Sequence, residues 1–98
     1  MSIVKKDNVI VEKRDGKLVT DSNYVEISIE ESEMKSVGVL KITRRTLTGE
    51  ELPVIIINPK GIHKYDIVEN EELILEVSDK EGRPLEEVVI VKGDVKWK

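Results

Sequence analysis

Cysteine, alanine, glutamine and phenylalanine do not occur in this sequence of 98 residues. Without cysteine there is neither a disulfide framework nor a thiolate metal site, so a packed core has to supply the stability. Without alanine the chain lacks the best helix former. There is no stretch of about 18 uninterrupted apolar residues, the length a membrane-spanning helix requires. Met1 to Lys6 runs into Asp7 without an apolar signal region. These absences predict a soluble cytoplasmic protein with no membrane partner. Glycine is sparse and scattered: Gly16, Gly38, Gly49, Gly61, Gly82 and Gly93 stand singly, and none forms the spaced cluster whose backbone amides cradle a phosphate. There is one histidine, His63, in no context that would activate a nucleophile. No catalytic residue, cofactor or metal is therefore expected. Glu30, Glu31 and Glu33 could gather around a cation, but they lack the glycine and the ligand spacing of a calcium loop.

What is present is dominated by isoleucine and valine. Branching at Cβ restricts the rotamers a helix needs and suits a pleated, half-buried surface, so the chain reads as mainly β. At this length it is one domain, residues 1–98. High charge of both signs, together with missing glutamine and cysteine, is the composition expected of a thermophile, where ion-pair networks cost less to desolvate.

Punctuation and alternation divide the chain. Asn8 to Arg14 and Lys17 to Thr20 flank Asp15-Gly16, a strong two-residue hairpin signal because both turn positions need positive φ. In Tyr24 to Glu30, Val25, Ile27 and Ile29 alternate with polar residues, as in a strand with one buried face. Glu31 to Ser36 is a loop. Val37 to Thr46 is a strand that sets Lys41 and Arg45 on one face and Arg44 on the other. Leu52 to Ile57 is a strand whose continuous apolar run, Val54 to Ile57, predicts the centre of the core. Asn58-Pro59 ends it, and Ile62, Tyr65, Ile67 and Val68 are spaced for one or two helical turns between Lys60 and Glu69. Glu71 to Ser78 and Leu85 to Val91 form a second hairpin around Asp79 to Gly82. In the tail, residues 92–98, Trp97 is expected to cover a sheet edge or a subunit contact rather than to stack on a base.

The net charge of −4 argues against indiscriminate coating of nucleic acid. The charges are nonetheless segregated. Lys41 to Lys64 holds five positive residues against two negative, whereas Tyr65 to Glu87 holds two against nine. The first stretch is a candidate contact surface, the alternative being two solvated faces.

The segment Val54-Ile55-Ile56-Ile57-Asn58-Pro59-Lys60-Gly61-Ile62, continuing through Ile67 and Glu69-Asn70-Glu71 to Val77, resembles the AbrB-type swapped-hairpin family of transition-state regulators and antitoxins. Pro59-Lys60 matches the family's Pro-Lys step, Ile62 its apolar helix residue and Glu69-Asn70-Glu71 its acidic turn. Asn70 replaces glycine, Gly61 stands where glutamate is usual, and His63-Lys64 replaces arginine. The resemblance spans about residues 36–91 and leaves residues 1–35 unexplained. It implies a small β-barrel with one short helix, an intertwined homodimer, and a transcription-regulating basic surface that binds duplex DNA. Lys41, Arg44, Arg45, Lys60, His63 and Lys64 would carry that surface, with arginine forks reading guanine edges. The alternative is a non-enzymatic β-rich interaction or structural module, such as a β-sandwich, whose partner is another protein.

Overall fold

The computed structural model describes residues 11–93. Among these residues the strands are β1 (Val11–Arg14), β2 (Lys17–Thr20), β3 (Tyr24–Ser28), β4 (Val39–Arg45), β5 (Glu51–Ile57), β6 (Ile62–Asp66), β7 (Glu72–Ser78) and β8 (Pro84–Lys92), with a 3₁₀ turn at Glu31–Glu33. A six-stranded sheet runs in the order β1-β2-β8-β7-β4-β5, and β3 pairs with β6 in a separate two-stranded sheet. The fold is mainly β, as the isoleucine and valine content predicts, and no barrel closes. Among the described residues the sheet instead ends at β1 and at β5.

Local chemistry explains the turns. Asp15 and Gly16 have φ of 50° and 77°, the twist that joins β1 to β2 in a tight hairpin. β2 then lies parallel to β8, Leu18 beside Ile90, which attaches the hairpin to the sheet. Between β7 and β8, the Asp79 carboxylate accepts hydrogen bonds from the backbone N–H of Glu81 (3.0 Å) and Arg83 (2.8 Å). This turn also meets the start of β4. A Cβ added to Gly38 would lie 2.7 Å from the Asp79 carbonyl oxygen, so the backbones approach as closely as only glycine allows.

The core lies between the two sheets. Val25 and Ile27 of β3 join Leu40 and Ile42 of β4, Leu73, Leu75 and Val77 of β7, and Ile90 of β8 in one buried cluster with Val37 and Ile67. Each side chain so buried contributes about 1.5–3 kcal/mol relative to exposure. β4 and β7 are buried on their reverse face too, through Thr43 and Ile74. Cross-strand register accounts for the pairing, because Leu40, Ile42 and Arg44 face Val77, Leu75 and Leu73 in order.

Three expectations are corrected. The apolar run Val54 to Ile57 is not the centre of the core. Among the described residues β5 pairs with β4 alone, and Leu52, Val54, Ile55 and Ile57 are exposed. A continuous apolar run records affinity for burial, and only the sheet order decides whether anything covers it. The helix expected between Lys60 and Glu69 is strand β6, paired with β3 from Tyr24↔Asp66 to Ser28↔Ile62. His63 and Tyr65 turn inward and Ile62, Lys64 and Asp66 outward, a period of two that became favourable once a strand distant in sequence offered its edge. The small barrel with one short helix is replaced by two open sheets. The Asn8–Ile10 part of the first strand and Trp97 lie outside the described residues.

Candidate interaction edge and the placement of the basic residues

Alternation along β4 separates the basic residues that share it. Arg45 faces away from the core and sits in a chain of ion pairs. Its guanidinium lies 3.5 Å from Glu51 and 3.6 Å from Glu72, and Lys17 reaches Glu72 at 2.6 Å. The Lys17 hydrogen bond, followed by the charges of Lys17 and Arg45, holds the Glu72 carboxyl below its ordinary range against the opposing effect of burial. Arg44 emerges on the core side, donates to the Asp66 carbonyl at 2.8 Å and lies 3.9 Å from Glu71, tying β4 to the end of β6. Lys41 is half-buried between Ile55 and Glu76 in the register.

On and near β6 the pattern repeats. Lys64 is exposed and stacks its ammonium 4.2 Å above the Tyr24 ring. Lys60 is exposed in the connection before it. His63 turns inward, and its Nε2 is buried without a hydrogen-bond partner. The structure therefore brings Arg45 together with Lys17 and their acidic neighbours. It sets Arg44 on the opposite face, Lys60 and Lys64 along the smaller sheet, and His63 inside. The six basic residues do not converge on one face.

Acidic side chains gather elsewhere. Glu33 and Glu86 each keep one buried carboxylate oxygen without a partner, and burial, with the nearby Glu33 charge, pushes the Glu86 carboxyl above its ordinary range. Among the described residues, no group of three or more histidine, cysteine, aspartate or glutamate side chains could hold a metal ion. No described helix is long and apolar enough to cross a membrane.

The feature that sequence reasoning missed is the open edge of β5. Leu52 is 66% exposed, Val54 47%, Ile55 62% and Ile57 71%, with Leu47 of the preceding turn at 79%. Both faces of the strand carry exposed apolar side chains, and positions 52–57 carry no charge. Natural edge strands are commonly protected by lysine, by inward-pointing charge or by a covering element. Here Pro53 interrupts the edge, and it could have revealed the strand's position, because proline is confined to edges and bulges of a sheet.

No family model, curated protein or solved structure shows a significant match to this chain.

Proposed function

We propose that the protein is a non-enzymatic interaction module that binds a protein partner by strand addition along β5. A single observation carries this reading: a strand of the main sheet whose positions 52–57 are apolar and uncharged is exposed along one edge and on both faces. Strand addition would satisfy the free backbone groups and bury Leu52, Val54, Ile55 and Ile57, with main-chain bonds supplying affinity and side chains specificity. Large exposed apolar patches mark such surfaces. With β3–β6 laid over the core face of the larger sheet, we favour a sandwich-like architecture for the module.

The test is a photo-cross-linking residue at position 55, with a control at the exposed Lys80, in cells that express the full chain. Protein adducts from position 55 and not from position 80 are expected. Absence of any adduct specific to position 55 overturns the reading.

Duplex DNA is the second reading, favoured by the positive balance of Lys41 to Lys64 and by the exposure of Lys60 and Lys64. Asn70, at φ 64°, adopts the left-handed conformation that its match to the swapped-hairpin family's glycine requires, whereas strand β6 departs from that family's helix. The ion pairs of Arg44 and Arg45, on opposite faces, reduce what either could offer a phosphate. Duplex affinity that falls steeply with salt, and that is lost in the Lys60→Ala/Lys64→Ala variant, would favour DNA over a protein partner.

A further inference from the structure

We infer that the strand added to β5 is β5 of a second copy of this chain, running antiparallel to it. The inference rests on the strand-addition reading and specifies the partner.

Hydrogen bonds fix which backbone groups are free. The Asn58 N–H donates to the Gly38 carbonyl at 3.0 Å, and the Thr46 N–H donates to the Glu50 carbonyl at 2.9 Å. Even-numbered residues of β5 therefore turn their backbone toward β4, in register from Leu52↔Arg44 to Ile56↔Leu40. Glu51, Pro53, Ile55 and Ile57 turn outward. Pro53 has no N–H to offer, so the free donors in the apolar part of the edge are the amides of Ile55 and Ile57. Beyond them Asn58, at φ 50°, and buried Pro59 take the chain away from the edge.

This short window matches itself. With Ile55 opposite Ile55 of the second copy, the two exchange N–H···O=C bonds. Ile57 then stands opposite Pro53 of the second copy, and its N–H meets a carbonyl that needs no donor from proline. The same bond recurs by symmetry, as in any isologous contact. Val54 lies beside Ile56 of the other chain on one face, and Ile57 beside Pro53 on the other, so both faces bury apolar surface.

Charge favours the same arrangement. The strand is acidic at its start, Glu50 and Glu51, and is followed by Lys60. The partner that complements it needs an apolar centre with its charges in the reverse order, which is what an antiparallel β5 presents. The acidic start of each strand then lies toward the end of the other strand that precedes Lys60. A parallel copy would set glutamate against glutamate.

Sedimentation across a concentration series, with residue-resolved hydrogen exchange on the full chain, tests the assignment. The expected result is a mass rising toward twice the 11.1 kDa of the chain, while exchange at the Ile55 and Ile57 amides slows with concentration and exchange at Leu52 and Ile56 does not. Ile55→Lys is expected to remain at chain mass and, at a concentration where the unaltered chain is monomeric, to keep its melting midpoint. Glu50→Lys is expected to weaken association about threefold to fivefold, the scale of an exposed charge interaction. A protein at chain mass throughout, or a dimer that leaves Ile55 and Ile57 exchange unchanged, overturns self-pairing. If position 55 then cross-links to a different protein, strand addition survives without self-pairing; a link within one chain overturns self-pairing as well. No adduct at all removes both.

Discussion

Strands β5 and β7 are each seven residues long, each begins Glu-Leu, and each contains isoleucine, yet they have opposite fates. In β7, Leu73, Ile74, Leu75 and Val77 are all buried, whereas in β5 every apolar residue from Leu52 to Ile57 except the half-buried Ile56 is exposed. By composition β5, with Pro-Val-Ile-Ile-Ile, is the more apolar of the two. Burial follows instead from neighbours: β7 has a strand on both sides and β3 over one face, and among the described residues β5 has only β4. Two strands flanking the same central strand therefore differ in what covers them: β7 closes the core, and β5 is left exposed.

The largest expected effect separates them by truncation. Leu75→Ala should destabilise the fold by about 2–5 kcal/mol, the cost of a cavity at a fully packed site. Ile55→Ala should change stability by no more than about 0.5 kcal/mol, the usual range for an exposed position. Urea denaturation of both variants at a concentration where the chain is monomeric makes the comparison, and equal losses would erase the distinction between core and edge. Next in size is Gly38→Ala, which forces a Cβ against the Asp79 backbone where β4 meets the β7–β8 turn. A loss of about 1–3 kcal/mol is expected from such overpacking, read as a lowered thermal midpoint.

Ionisation gives smaller effects. The Glu86 carboxyl is raised above its usual pKa in the folded protein, so its favourable contribution is present below the ordinary glutamate range and is lost as pH rises through the raised value. Glu86→Gln should therefore stabilise the protein at pH 7 and change little near pH 3, as measured by the shift in urea midpoint at each pH. Glu72 has the opposite sign. Its folded pKa lies below the ordinary glutamate value, so its contribution is present above that ordinary value and is lost as pH falls through the depressed one. With its ion pairs near the surface, Glu72→Gln should cost less than about 1 kcal/mol at pH 7. That loss should shrink at low pH.

The strand pattern was largely legible in residue order. Asp15-Gly16 requires positive φ at both positions, the alternation of Val25 and Ile27 marks one buried face, and the break from Asp79 to Gly82 separates two apolar runs. Each signal is local, resting on dihedral preferences and side-chain period. The partial site was less legible. The alternation of Arg44 and Arg45 across β4 was readable, but their ion pairs with Glu71, Glu72 and Glu51 depend on which strands flank β4. Pro53 carried the one local sign that β5 is an edge. Its signal lay inside a run whose hydrophobicity points to burial.

The sequence by itself determined a β-rich chain, its main turns and the polarity of its charge, because backbone preference and period are properties of near neighbours. The tertiary structure alone decided that Ile62–Asp66 pairs with β3 as a strand, that β4 and β7 hold the centre, and that β5 stands open. Those outcomes depend on contacts between residues distant along the chain. A short apolar segment can satisfy its backbone as helix or strand and its side chains in a core or against a partner. The edge available to it settles which.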